Sequence, residues 1–202
     1  MRILVTNDDG LHAPGLHALA TALDRAGHEL VLIAPEGDRS GSGAAIGNLG
    51  DGSYLRYRPA TLDGLEHVET YELDAPPATC VFAAHLPAFG PVPDLVASGI
   101  NPGLNTGRVT LHSGTVGAAL TAASLGMSAV AVSIAGRESS VRHWDVAGDL
   151  AVQVVDGAIV VAGSAVDGGQ TKLLVARLGA AGTLDPTFGS GGSQLVSLGD
   201  GG

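Results

Sequence analysis

The first ten residues, Met-Arg-Ile-Leu-Val-Thr-Asn-Asp-Asp-Gly, constrain this chain most, because an apolar run ends there abruptly on two adjacent carboxylates and a glycine. Ile3, Leu4 and Val5 are too few for a helix and are bounded at once by turn residues, so they read as a strand. Unbroken apolarity belongs to a strand covered on both faces, as in a parallel sheet. Open α/β sheets bind ligands outside the carboxyl ends of their strands, which puts Asp8 and Asp9 at a candidate active-site rim. Neighbouring carboxylates repel, and a hard divalent cation that takes oxygen ligands relieves the repulsion. A solvated Asp-Asp-Gly turn accounts for the same residues without a ligand.

The order of elements that follows predicts βαβ units. Leu16, Leu19, Ala20, Leu23 and Ala26 have the spacing of an amphipathic helix that Gly27 would end. Leu30–Ala34 reads as a second buried strand, and a right-handed crossover brings Pro35 to the same edge as Asp8. The loop 36–43, with alternating serine and glycine from Ser40, can therefore reach the acidic pair, although a merely flexible Gly/Ser loop has the same composition. Tyr54, Tyr57, Val68, Tyr71 and Leu73 suggest a hairpin turning near Asp63-Gly64, and residues 74–86 a proline-initiated helix. Leu95–Ala97 reads as a third buried strand running into Ser98-Gly99-Ile100-Asn101, then a polar loop from Pro102 to His112 of a kind that is usually functional. Ser113 would cap a helix over Val116–Leu125, whose small-residue N-terminus suits a phosphate or ordinary capping alone. Ala129–Ile134 reads as a fourth buried strand, and Val146, Leu150, Val154 and Val155 as a last helix.

Length and charge narrow the function. With 202 residues the chain can form one α/β domain and a small addition. Aromatics at 3% leave a core of Ala, Val and Leu. A net charge of −10 argues against a nucleic-acid duplex or an anionic membrane as partner, since both require a basic patch. Cys80, the one cysteine, excludes an internal disulfide and suits a reducing cytoplasm. Neither an export signal nor a membrane-length apolar run is visible, which also leads us to expect a cytoplasmic protein.

Several chemistries fail on inspection. Lys172 is the one lysine and no Gly-Lys-Ser/Thr occurs, so there is no P-loop. No G-x-S-x-G elbow is present, and seven histidines without an H-x-x-x-H pair do not suggest zinc.

Four separated motifs carry a resemblance. Asn7-Asp8-Asp9-Gly10 with Ala13-Pro14-Gly15, then Ala34-Pro35 with Arg39-Ser40-Gly41, then Ser98-Gly99-Ile100-Asn101 with Gly103 and Asn105, and finally Ser113-Gly114-Thr115-Val116-Gly117-Ala118-Ala119, resemble the SurE (survival protein E) family in content and order. The resemblance covers residues 1 to about 157. It implies a Rossmann-like three-layer α/β fold with a mostly parallel sheet. The implied activity is a 5′-nucleotidase, a phosphomonoester hydrolase acting on nucleoside 5′- and also 3′-monophosphates, with one Mg²⁺ or Mn²⁺ and a homodimer or tetramer. By position, the family's metal ligands fall on Asp8, Asp9, Ser40 and Asn101, with Asp8 and Asp9 also catalytic, and its phosphate-facing residues on Asn105, Ser113, Gly114 and Thr115.

The chain also departs from the family. Ala75-Pro76-Pro77-Ala78-Thr79-Cys80 stands where a Gly-Thr-Pro-x-Asp-Cys pattern is usual, and Arg108 and His112 replace an aspartate and a tyrosine. Residues 158–202 form a Gly-rich, β-type segment in place of the family's further strands and arm, and the stretch from Leu174 to Gly189 resembles a single delta-60 repeat. Such a change makes a catalytically impaired remnant, acting as a nucleotide-binding or structural module, the alternative to an enzyme. A phosphoacceptor receiver domain would need a lysine near a late strand, and Lys172 lies beyond the expected sheet.

Overall fold

A computed structural model describes residues 1–47, 54–134 and 143–157, and beyond them the strands over 159–167, 170–178 and 193–197 with residues 186, 190 and 191. The chain divides into two compact units, Met1–Ala151 and Val152–Gly202. Every candidate site residue lies in the first.

In that unit β1 (Arg2–Thr6), β2 (Glu29–Pro35), β3 (Tyr57–Pro59), β4 (Glu69–Leu73), β5 (Leu95–Asn101) and β6 (Ser128–Ser133) form one sheet in the order β3-β4-β2-β1-β5-β6. All neighbours are parallel except β3, which runs antiparallel to β4 and completes the expected hairpin. Strand order reverses beside β1, where β2 lies on one side and β5 on the other. Chains leave the carboxyl ends of β1 and β5 toward opposite halves of the sheet, which opens a crevice between them. Asn7-Asp8-Asp9 follows β1 and Asn101 ends β5, so the crevice carries both motifs.

Alternation along the buried strands sends side chains to two faces. Leu4, Val31, Ile33 and Val96 pack with Cys80, Val81, Ala83, Ala118 and Ala122 in one cluster. These come from α2 (Pro77–His85) and α3 (Gly114–Ser124), whose small residues bring the helices close to the sheet and to each other. On the opposite face α1 (Pro14–Arg25) lies on β1, β2 and β5 with Leu16, Leu19, Ala20 and Leu23 buried, as its spacing predicts. It ends as expected, with the Gly27 N–H donating to the Asp24 carbonyl and His28 N–H to the Leu23 carbonyl. Helix α4 (Trp144–Val155) begins against α1, where Gly148 faces Ala18 and Ala22. The result is the three-layer, mostly parallel α/β fold that the resemblance implies.

Three expectations change in detail. The third strand runs on to Asn101, because Ser98, Gly99 and Ile100 are buried and continue it. The loop after it contains a 3-10 turn over Gly107–His112. The fourth strand is not buried: β6 borders the sheet, with Ala129 and Ala131 exposed and Val130 and Val132 half-buried. Its Val/Ala run looks like a covered strand, but among the described residues it pairs with β5 alone.

In the second unit β7 (Ile159–Asp167), β8 (Gln170–Leu178) and β9 (Ser193–Ser197) form an antiparallel sheet, with the β7–β8 register closing at Asp167 and Gln170. Most of the segment after residue 178 that resembles a delta-60 repeat lies outside the described residues.

Candidate active site

The turn after β1 is locked before it meets any ligand. Asn7 is fully buried, its Nδ2 donates to the Gly10 carbonyl at 3.0 Å, and its Oδ1 accepts the Gly10 N–H at 3.2 Å. This pair of bonds fixes the chain direction at Asp8 and Asp9. The Arg39 N–H donates to the Asp8 carbonyl at 2.7 Å, which ties the loop from β2 to the same turn.

Asp8 is 3% exposed and both carboxylate oxygens are engaged by α3. Oδ2 accepts the Gly114 N–H at 3.0 Å, and Oδ1 accepts the Thr115 hydroxyl at 2.5 Å. A buried carboxylate needs such donors, and a helix N-terminus adds a favourable partial positive charge. Gly114 and Thr115, which the resemblance places on phosphate, here hold an aspartate. Ser113 caps the same helix, its Oγ accepting the Val116 N–H at 3.1 Å. Asn105 donates through Nδ2 to the Ser133 hydroxyl at 2.9 Å, linking the polar loop to the end of β6.

Asp9 differs from Asp8. Its Oδ2 is buried without a hydrogen-bond partner. Burial, reinforced by the Asp8 and Asp38 charges, pushes its carboxyl up to about 6. A carboxylate whose free oxygen is withheld from water and aimed among like charges is costly in the absence of a cation.

The other two candidate ligands lie on the loop after β2 and at the end of β5. Asn101 donates through Nδ2 to the Gly103 carbonyl at 2.8 Å, which leaves its Oδ1 as an acceptor. Ser40 donates its hydroxyl to Asp38 Oδ1 at 2.6 Å, and its N–H to the same oxygen at 2.8 Å. Asp8, Asp9, Ser40 and Asn101 carry side-chain oxygens, the donor type that Mg²⁺ or Mn²⁺ takes. Among the described residues no group of three or more His, Cys, Asp or Glu is placed to hold a metal ion. With one oxygen unpartnered on Asp9, the residues present fit a hard divalent cation.

Close packing keeps the loop from β2 against α3. A Cβ at Gly114 would lie 2.6 Å from the Asp8 Cβ and 2.8 Å from both Asp8 Oδ2 and Ser42 Oγ. Ser42 Oγ is itself buried without a hydrogen-bond partner. Such a group costs about 1–3 kcal/mol of desolvation, so Ser42→Ala should leave the melting temperature of the ligand-free protein unchanged or higher. A fall of several degrees in differential scanning calorimetry would mean that the hydroxyl is satisfied.

Sequence reasoning assigned no role to Asn7, Asp38 or the contact between Thr115 and Asp8. Asp38 carried a usable signal, since an aspartate two residues before a backbone N–H favours an Asx turn. The Thr115 contact spans 107 positions and follows from topology alone.

Fold and site together define a class: Rossmann-like α/β domains that carry paired carboxylates at the switch point of a mostly parallel sheet. Comparison with known proteins makes this specific. The family model for survival protein SurE matches residues 3–176. The chain is 39% identical over 162 residues to the 5′-nucleotidase SurE of Xanthomonas campestris pv. campestris (strain B100), covering 77% of this chain and 56% of that protein. It is also 39% identical over 155 residues to the 5′-nucleotidase SurE of Stenotrophomonas maltophilia (strain R551-3), with the same coverage. The crystal structure of the SurE protein from Aquifex aeolicus superposes with a TM-score of 0.63 at 25% identity, covering 91% of this chain and 87% of that one. The chain belongs to the SurE family. It spans about half the length of the curated relatives it matches.

Proposed function

We propose that this chain is a metal-dependent phosphomonoesterase that removes phosphate from nucleoside 5′-monophosphates, and from 3′-monophosphates as well. The observation that carries the reading is the unpartnered Asp9 oxygen, buried beside a second carboxylate at the sheet's switch point. The relatives named 5′-nucleotidase SurE supply the reaction class.

Asp8, Asp9, Ser40 and Asn101 would hold the cation. When bound, a divalent ion polarises a phosphoryl oxygen and favours ionisation of a water. The protein's own part is positional. Asp8, clamped by Gly114 and Thr115, is fixed in one rotamer, whereas Asp9 has an oxygen to spare for ligation or for orienting water. Asn105, Ser113, Gly114 and Thr115 line the phosphoryl side in this reading, with the Gly114 N–H and the Thr115 hydroxyl acting through Asp8, to which they donate.

A cytoplasmic setting suits Cys80, whose thiol burial pushes up to about 12 and so keeps unreactive. No helix among the described residues is long and apolar enough to cross a membrane. The reading includes the family's dimer or tetramer, which sedimentation would measure.

The test is phosphate release from a panel of nucleoside 5′- and 3′-monophosphates with Mg²⁺, Mn²⁺ or EDTA. Release that requires the metal is the expected result. No release from folded protein that still melts higher with Mn²⁺ would replace this reading with the impaired, nucleotide-binding remnant. A cation that binds only the native state must raise its melting temperature.

A further inference from the structure

We propose that Asp38 is a positioning residue for the cation site: by accepting the hydrogen bond of the Ser40 hydroxyl, it leaves the lone pairs of the Ser40 oxygen for a cation. This inference rests on the metal-dependent reading above and concerns a residue that is not among the four candidate ligands.

A serine hydroxyl carries one hydrogen and two lone pairs, and its hydrogen rotates to the best acceptor within reach. Ser40 follows Arg39, whose N–H donates to the Asp8 carbonyl, and in the metal-dependent reading its oxygen would share a cation with the Asp8 and Asp9 carboxylates. A hydroxyl hydrogen directed there would occupy the oxygen positions a cation needs and would place a positive dipole end toward it. The structure pairs the hydroxyl with Asp38 Oδ1 instead, at 2.6 Å. The same oxygen accepts the Ser40 N–H at 2.8 Å, so one atom fixes both the backbone and the side chain of Ser40. With that oxygen accepting twice, Asp38 acts through Ser40.

Charge contributes independently. Asp38 is a carboxylate next to Arg39, whose N–H donates to the Asp8 carbonyl, so its charge also adds to the negative potential that draws a cation to the site. The two contributions separate by substitution. Asp38→Asn keeps an acceptor oxygen and removes the charge, whereas Asp38→Ala removes both. Asp38 is exposed, so neither change opens a cavity.

The test is Mn²⁺ affinity of the full chain by isothermal titration calorimetry, without substrate. Outer partners of metal ligands commonly contribute 10–100-fold to affinity. Asp38→Ala should weaken Mn²⁺ binding roughly tenfold, toward the lower end of that range for an exposed loop, and Asp38→Asn should recover part of the loss. The decisive comparison is a double-mutant cycle with Ser40→Ala. If Asp38 acts through the hydroxyl, Asp38→Asn added to Ser40→Ala costs no more than its charge alone, and Asp38→Ala added to Ser40→Ala costs the same as Asp38→Asn there. Wild type that binds Mn²⁺ while Asp38→Ala binds it equally well overturns this proposal alone. So does an Asp38→Ala effect of equal size with and without the Ser40 hydroxyl. Wild type that binds no Mn²⁺ overturns the metal-dependent reading and this proposal with it.

Discussion

Replacing Asp9 with Asn is expected to abolish metal-dependent phosphate release while making the metal-free protein more stable. The two effects have one cause. Asp9 holds a buried, unpartnered oxygen beside Asp8, and burial with the Asp8 and Asp38 charges pushes its carboxyl up to about 6 from the ordinary 3.8. A group raised in this way binds its proton more tightly in the native state. Its favourable contribution is therefore complete below about pH 4 and is lost as pH rises through about 6. Asparagine has nearly the same shape without the charge and carries no such loss. In EDTA, the variant's melting temperature should match that of wild type near pH 4 and exceed it above pH 6. Mn²⁺ should reverse the order at pH 7.5, raising wild type by mass action and leaving the variant nearly unmoved. Phosphate release should fall by at least roughly a hundredfold, about 2.7 kcal/mol of barrier. Differential scanning calorimetry with and without Mn²⁺, alongside the phosphate assay, reads all three quantities. A variant that keeps full activity would remove Asp9 from the reaction and the metal reading with it.

How much of this was legible beforehand depends on the range of the interaction. Local signals served well: the apolar run of β1, the helical spacing of α1 with its glycine stop, and the serine cap of α3 all appear where short-range physics puts them. The right-handed crossover also sufficed to bring Pro35 to the same edge as Asp8. Burial of β6 was misjudged because a run such as Ala-Val-Ala-Val has the same composition in a central strand and at a border, and only strand order distinguishes them. The Asp8 clamp was invisible for a related reason. Gly114 and Thr115 read equally as phosphate donors or as ordinary helix start, and the acceptor they hold lies more than 100 residues away. The Asp38 turn is local, but an aspartate in a Gly/Ser loop has the same sequence whether its carboxylate meets solvent or the hydroxyl two residues on. The free oxygen of Asp9 could not be read at all, since it depends on what every neighbouring donor does instead.

Gly117→Ala should damage both the fold and the site, through contact with backbone rather than through chemistry. Taken on helix propensity alone, the change would be favourable by about 1 kcal/mol, since glycine within a helix is poorly disposed to it. Packing opposes this. A Cβ at Gly117 would lie 2.1 Å from the Gly43 carbonyl oxygen, 2.3 Å from its carbon and 2.7 Å from the Ala44 nitrogen. None of these atoms can swing aside as a side chain could, so helix and loop must separate. Overpacking of this kind costs about 1–3 kcal/mol, and here the upper end applies because the opposing atoms are backbone. The net expectation is a loss of about 1–2 kcal/mol, read as roughly 2–4 °C of melting temperature per kcal/mol at this chain length. An exposed change on the same helix, Ala123→Ser, should stay within about 0.5 kcal/mol. The separation has a functional consequence. Gly43 donates its N–H to the His112 carbonyl at 3.0 Å, and three residues before it stands Ser40. Pushing this loop off α3 moves a candidate ligand away from the two aspartates that α3 and β1 hold. Mn²⁺ affinity should therefore fall in Gly117→Ala beyond what the stability loss explains, when measured by calorimetry at a temperature where the variant remains folded. Unchanged affinity in a destabilised variant would mean that the loop from β2 does not complete the cation site.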